Sequence, residues 1–201
     1  MTDTHIILIG GGGHALVVAA AAVASGIQID GYFDDNAAAL LSRLTAIRYL
    51  GPVASATGSG LSRILCVGDL KARRGLLARG DWSAAATIIH PRAFVDPNAT
   101  IAKGVFIGPG AIVQTHATIG NHAIINSGAI VEHECTIGTN VHIAPGAVLA
   151  GNVSVGPHTL IGLGARVLPG VRIGSEAIVG AGAVVLADVA DGATVVGVPA
   201  K

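Results

Sequence analysis

From Ile89 to Val185 every sixth residue is Ile, Val or Leu, through Val95, Ile101, Ile107, Val113, Ile119, Ile125, Val131, Ile137, Ile143, Leu149, Val155, Ile161, Val167, Ile173 and Val179. A helix repeats its apolar face every 3.6 residues and a half-buried strand every two, so neither produces a strict period of six. A parallel β-helix does: one hexapeptide forms one flat side, and three sides close a coil. Seventeen such repeats make between five and six coils. Two positions before each aliphatic the residue is mostly small, as at Ala111, Ala117, Ala129, Cys135 and Ala147. These residues point inward and fill a narrow prism. Three positions after each aliphatic, ten of the fifteen residues from Asn98 to Gly182 are Gly or Asn. That composition predicts a bend with positive φ at every corner. Pro97, Pro109, Pro145, Pro157 and Pro169 stand one position earlier.

The residue just before each aliphatic faces outward, and read every eighteen positions these residues sort into columns. One column is Phe106, Ile124, His142, Leu160, Ile178; the next is Ile112, Ile130, Val148, Arg166, Val184. The third is Thr100, Thr118, Thr136, Ser154, Arg172. Single exposed aliphatics are common on any surface, but their alignment into columns is not. Two greasy faces and one wet face predict a homotrimer, three prisms about a threefold axis.

Before residue 89 the pattern changes. Strands are expected at His5–Ile9, Ile29–Phe33, Arg63–Val67 and Ala85–Ile89, with helices at His14–Ser25 and Lys71–Ala78. This is a Rossmann-like βαβαβ unit with a parallel sheet. The expected division is an α/β domain over 1–88 and a β-helix over 89–201 that ends in a short tail. Residues 36–60 carry no diagnostic pattern.

Charge and composition narrow the function classes. Twelve Lys and Arg balance twelve Asp and Glu, and no basic cluster appears, which argues against a nucleic-acid partner. The mean hydropathy of +0.67 is inflated by Gly and Ala. The longest apolar run, Ala15 to Ala24, is too short to insert across a bilayer. The opening Met-Thr-Asp-Thr-His lacks the positive segment of a signal peptide. Cys66 and Cys135 fall in different segments and read as two buried thiols of a cytoplasmic protein.

His133 and Glu134 carry the strongest chemical signal. His133 occupies a corner register and so projects from the prism, and a carboxylate beside an imidazole can orient it and raise its basicity. Glu134 stands where Gly or Asn is usual, although His116, His122, His158 and Glu176 share that register. A solvated His-Glu corner is the plain alternative. His142 lies mid-strand in an apolar column, half a coil from His133, so the two imidazoles can meet only across a subunit boundary. Asn126 is one coil below on the side of His142. Gly108, Ala144, Gly162 and Gly180 on that side suggest a slim strip for an extended ligand such as a pantetheine arm. Cys135 is a competing nucleophile, but its register buries it.

Gly10 to Gly13 follow a strand and open a helix, so their amides suit a phosphate or carbonyl oxygen. The turn fits G-x-G-x-x-A, with Asp34 placed for a ribose hydroxyl. Eighty-eight residues leave no room for the second half of a dinucleotide fold. A nucleotide-sugar pocket uses the same physics in less space. Lys71, Arg73 and Arg74 read as a solvated helix face, with contact to a diphosphate as the second reading.

Ile125-Asn126-Ser127, the run Ile130 to Cys135, His142 and Ala150 to Val153 resemble the bacterial nucleotide-sugar N-acetyltransferases of the PglD and NeuD type. The terminal Val196-Gly197-Val198-Pro199-Ala200-Lys201 and the glycine turn with His14 resemble the same family. The resemblance implies a left-handed β-helix, a homotrimer and acetyl-CoA as co-substrate, with no metal. It implies N-acetylation of a nucleotide-linked amino sugar such as a UDP-linked 4-amino-4,6-dideoxy sugar. On it, His133 is the base and Glu134 its activator. His142, Leu163 and Ala181 line the acetyl-CoA site, and Asn126 and Gly151 are assigned to cofactor binding with them. Gly12, Gly13, His14, Asp34, Asp35 and Gly68 contact the nucleotide sugar. Three other readings stay open: O-acetylation by the same base, a zinc carbonic anhydrase drawing on His116 and His122, and a silent sugar-nucleotide-binding scaffold.

Overall fold

The structure is a computed structural model and describes residues 5–56 and 62–201. Residues 1–4, read above for a signal peptide, lie outside it, as do residues 57–61. The chain divides into two compact units, 1–91 and 92–201.

The first unit runs β1 (His5–Ile9), α1 (Gly13–Ala24), β2 (Gln28–Phe33), α2 (Leu40–Leu44), β3 (Tyr49–Gly51), β4 (Ser62–Leu65) and α3 (Leu70–Arg79). Its four strands pair in parallel in the order β3-β2-β1-β4. β1 is central, and Ile6, Ile7, Leu8 and Ile9 are all buried, as a parallel strand covered on both faces requires. α1 turns Ala15, Val18, Ala19, Ala21 and Ala22 inward, small side chains that let a helix lie close to its neighbours. Asp69 caps α3, its carboxylate accepting the Ala72 N–H at 2.7 Å.

Three expectations change here. β3 and α2 fall in the stretch without a pattern; at three and five residues they are too short to show a period. The expected strand at 85–89 contracts to Ile88–Ile89, and Ala85 makes one parallel bridge to Arg63. Arg73 is not on a solvated face: it is 1% exposed.

The second unit is a three-sided parallel β-helix. Two-residue strands pair with those eighteen residues later, as Thr118–Ile119 with Thr136–Ile137 and Ile130–Val131 with Val148–Leu149, until Ile178–Val179 pairs with Thr194–Val195 sixteen residues on. The three outward columns expected from the sequence are the three sheets. Inside, Ala111, Val113, Ala117, Ile119, Ala129 and Val131 are at most 1% exposed.

The corners follow the expected register. The fourteen successive corner residues from Gly104 to Gly182 have φ between +55° and +72°. Seven are not glycine: His116, His122, Glu134, Asn140, Asn152, His158 and Glu176. The left-handed conformation costs an L-residue about 1–2 kcal/mol, so strain does not single out Glu134. Asn98 departs from the series, because Asp96 accepts its N–H at 2.8 Å in a local turn.

Two readings of the surface need correction. Phe106 and Ile124 are each 1% exposed in the single chain, so they are not open to a partner subunit, whereas Ile178 in their column is 43% exposed. The strip of small residues beside His142 is not an open groove. A Cβ on Gly108 would lie 2.9 Å from Ser127 N, and one on Gly162 would lie 2.6 Å from Val179 O. Glycine stands there because the next coil fills the space.

That contrast is testable. A Cβ on Gly138 would sit 2.7 Å from Pro157 N, backbone that cannot yield cheaply, whereas Gly164 has open space but φ of +62°. Gly138→Ala should lose about 3 kcal/mol or more and Gly164→Ala about 1 kcal/mol, compared by thermal and urea unfolding. Equal losses would contradict the packing account.

Candidate active site

The hydrogen-bonding of the corners explains where chemistry can sit. One residue before each left-handed position, the N–H points away from the coil-to-coil ladder. Proline at 109, 145, 157 and 169 removes that donor without loss. At three other corners a side chain caps it. Asn121 Oδ1 accepts from Lys103 N at 3.2 Å, Asn126 Oδ1 from Ser127 N at 2.8 Å, and Asp191 Oδ1 from Ser175 N at 2.7 Å. Gly151, Leu163 and Ala181 occupy the same register, and their N–H groups have no partner among the described residues; those of Thr115, Asn121, His133 and Thr139 are open in the same way. Leu163 is 59% exposed. Leu163 and Ala181 follow one another by one coil on a single edge, so their open amides are stacked. Gly151, Leu163 and Ala181 are three of the residues the sequence assigned to the cofactor.

His133 lies in this register too. Its Nδ1 is 3.0 Å from Glu134 Oε2, and both side chains are more than half exposed. A carboxylate only accepts, so Nδ1 carries the proton and Nε2 holds the lone pair. One coil on, Gly151 lies under the ring. A Cβ there would fall within 2.4–2.5 Å of His133 Cε1 and Nε2. Gly151 is thus the seat of the imidazole, a role the sequence did not suggest.

The second imidazole is differently placed. Asn126 Nδ2 is 3.1 Å from His142 Nε2, and Asn126 Oδ1 is held by the Ser127 N–H, which fixes the amide orientation. The amide therefore donates and His142 Nε2 accepts. Asn126 positions His142 and occupies its Nε2 lone pair. Of the two histidines, His133 is the one whose basic nitrogen remains to take a proton.

Cys135 does not compete. It is 1% exposed, its Sγ donates to Ala150 O at 3.2 Å, and burial raises its thiol above the ordinary range. Among the described residues no three His, Cys, Asp or Glu side chains gather as a metal-ligand set.

In the first unit the remaining candidates meet at the carboxyl ends of the strands. β1 has β2 on one side and β4 on the other, so the chain leaves it in two directions, and a crevice opens at such a switch point. Gly10 has φ of +107° and a Cβ there would meet Val67, while one on Gly11 would enter the Tyr32 ring at 2.6 Å. Packing therefore demands the first two glycines. Gly12 has an ordinary φ of −80° and nothing within 4 Å of a Cβ, and Gly13 nothing closer than 4.0 Å. Neither strain nor packing calls for glycine at those two positions, which leave open space at the start of the helix.

Asp34 has a structural duty the sequence missed. Its Oδ2 accepts from Gly11 N at 2.7 Å and its Oδ1 from Asn36 N at 2.8 Å, which fastens the glycine turn to β2. Asp35 Oδ1 accepts from Val53 N at 3.0 Å. Gly68 lies against His14, at 3.7 Å from Cβ to Cβ position. The six first-unit candidates thus share one edge. A cavity of about 700 Å³ lies nearby, lined by Val53, Arg63, Leu76 and Trp82, but of these candidates only Asp35 borders it.

Comparison with known proteins places this arrangement. Residues 5–79 match the PglD N-terminal domain, 83–169 the GMPPB C-terminal domain, and 152–187 the six-repeat bacterial transferase hexapeptide family. PerB from Caulobacter crescentus, solved in complex with CoA and GDP-perosamine, is 37% identical over 98% of this chain and 96% of its own, with a TM-score of 0.90. The acetyltransferase domain of PglB from Neisseria gonorrhoeae, in complex with acetyl coenzyme A, is 33% identical over 99% and 98%, with a TM-score of 0.89. WeeI from Acinetobacter baumannii is 25% identical over 98% of each chain, with a TM-score of 0.82. A search of the curated proteins gave no match. The fold and these similarities define an acetyl-CoA-dependent sugar N-acetyltransferase built on a left-handed β-helix. The chain belongs to the PglD-like nucleotide-sugar N-acetyltransferases of the hexapeptide superfamily.

Burial also raises the Cys66 thiol, to about 12. Both thiols should therefore stay protonated at neutral pH and closed to reagent. The folded protein should take up no iodoacetamide at pH 7 and two equivalents after denaturation, read by mass spectrometry. Rapid labelling of Cys135 in the folded state would reopen it as a nucleophile.

Proposed function

We propose that the chain acetylates the amine of a nucleotide-linked 4-amino-4,6-dideoxy sugar, working in the cytoplasm as a homotrimer with His133 as general base. The observation that carries this reading is the pairing of His133 Nδ1 with Glu134, which leaves Nε2 as the acceptor, while the Nε2 of His142 is taken by Asn126. The sugar amine attacks the thioester carbonyl carbon of acetyl-CoA, and His133 Nε2 removes its proton. The tetrahedral oxyanion accepts a hydrogen bond from a preorganised donor. The open Gly151 amide beside the imidazole suits that role. The C–S bond then breaks, and the departing thiolate of CoA recovers the proton. Direct transfer needs no acyl-enzyme, in keeping with the buried Cys135.

The stacked open amides at Leu163 and Ala181 support binding of the acetyl-CoA arm through main-chain contacts. His142 serves a site completed by a neighbouring subunit, since it stands on a different side of the prism from His133. The part-exposed Ile112, Ile130 and Val148 on another side support association into trimers. Two free cysteines, and the lack of any described helix long and apolar enough to cross a membrane, support the cytoplasmic assignment. The nucleotide sugar is assigned to the edge formed by Gly12, Gly13, His14, Asp34, Asp35 and Gly68. UDP follows from the sequence resemblance. The 37% identical PerB, solved with GDP-perosamine, favours GDP as the second reading.

Release of CoA thiol, followed across UDP-, GDP-, CMP- and dTDP-linked amino sugars, tests the activity and chooses the nucleotide. His133→Ala should lower kcat about 10²–10⁴-fold with the fold and assembly intact. An unchanged rate in that variant would end the assignment of the base, and thiol release only with hydroxyl acceptors would move the reaction to O-acetylation.

A further inference from the structure

We propose that Arg73, buried beneath the end of β4, is a positioning residue for nucleotide-sugar binding that holds the Val67–Gly68 turn in its working shape. The inference rests on the assignment of Gly68 and the glycine turn to the nucleotide sugar.

Arg73 is 1% exposed and among the largest fully buried side chains of the protein. Its Nη1 donates to Leu65 O at 3.1 Å and to Val67 O at 2.9 Å. A planar guanidinium presents several N–H groups in a fixed fork, so one group can clamp carbonyls two residues apart. The clamp falls where β4 stops pairing with β1, and the last tie there is Cys66 N–H to Ile9 O at 2.7 Å. Beyond it the chain must turn through Val67 and Gly68 to reach Asp69, the cap of α3. With both carbonyls drawn inward, the amide of Gly68 is left without a partner among the described residues, beside His14.

The same turn supports the glycine loop across the crevice. A Cβ on Gly10 would lie 2.8 Å from Val67 Cγ2 and 3.2 Å from the Cys66 carbonyl. The two walls are therefore in contact, and a shift of Val67 would move Gly10 with it. Gly10 N–H is in turn bonded to Phe33 O at 2.8 Å and Gly11 N–H to Asp34 at 2.7 Å. Arg73 thus braces one side of a bed whose other side is braced by Asp34.

The charge adds to the geometry. Burial lowers the Arg73 pKa to about 10, and Cys66 beside it is neutral with its thiol near 12, so the guanidinium stays protonated at physiological pH. A buried cation is weakly screened. Placed behind the edge on which a diphosphate is expected, it favours negative charge there.

The test separates binding of sugar from chemistry. With the nucleotide amino sugar on which the wild type releases CoA thiol, Arg73→Met should raise KM for that sugar at least tenfold. KM for acetyl-CoA and kcat at saturation should stay within about threefold of wild type. Arg73→Lys keeps the charge but not the fork and should fall between; it also decides the matter should Arg73→Met fail to fold. Circular dichroism checks folding, and calorimetry with UDP and GDP reads affinity directly. A folded variant with unchanged sugar KM, or one losing kcat and both KM values alike, would overturn the proposal. Failure of the underlying assignment looks different, because the wild type itself would then neither release thiol nor bind UDP or GDP.

Discussion

A left-handed bend every six residues is the constraint on which the second unit depends. Fourteen corners in succession adopt it, so every coil across that span has eighteen residues and the same three sides, and only the last coil shortens to sixteen. Because the register holds across these corners, residues eighteen apart in sequence are neighbours in space there. This is how Gly151 comes to lie under His133. It is also how Asn126 comes within hydrogen-bonding reach of His142, two positions short of a full coil away. A single inserted residue would turn the following side chains off their faces, as a slip does in any β-structure.

The bend has a second consequence. A corner that turns through positive φ leaves the preceding N–H outside the ladder, and the chain must deal with it fifteen times or more. Proline deletes the donor, and Asn or Asp caps it. Where neither is present, as at Thr115, Asn121, His133, Thr139, Gly151, Leu163 and Ala181, the edge keeps a ready hydrogen-bond donor. A fold requirement and a binding capability are thus one feature seen twice. Asn126 links the two, since the oxygen that caps a corner also fixes which nitrogen the amide offers to His142. In the first unit Asp34 works likewise, holding the Gly11 amide so that Gly12 and Gly13 stay open.

What the sequence revealed was what periodicity determines. The inward alanines, the corner register, the three outer columns and the projection of His133 all follow from counting in sixes and eighteens. The misreadings arose where the answer depended on a distant segment. Gly108 and Gly162 look like a ligand groove because a missing side chain reads the same whether a ligand or the next coil fills the gap. Phe106 and Ile124 stand in an outward register, yet they are buried in the single chain. Arg73 sits among Lys71, Arg74 and Arg79 in α3, and no local pattern marks it as the basic residue that turns inward. β3 and α2 carry no sequence signal because at three and five residues neither completes two turns of its period.

The central claim is that the corner holds His133 with its proton on Nδ1 toward Glu134 and its basic Nε2 facing outward. Nitrogen-15 NMR of histidine-labelled protein, above the pH at which the ring titrates, reads this directly. The account predicts a neutral Nδ1–H tautomer at His133, assigned by loss of its signals in His133→Asn. A neutral Nε2–H tautomer at that residue would contradict it.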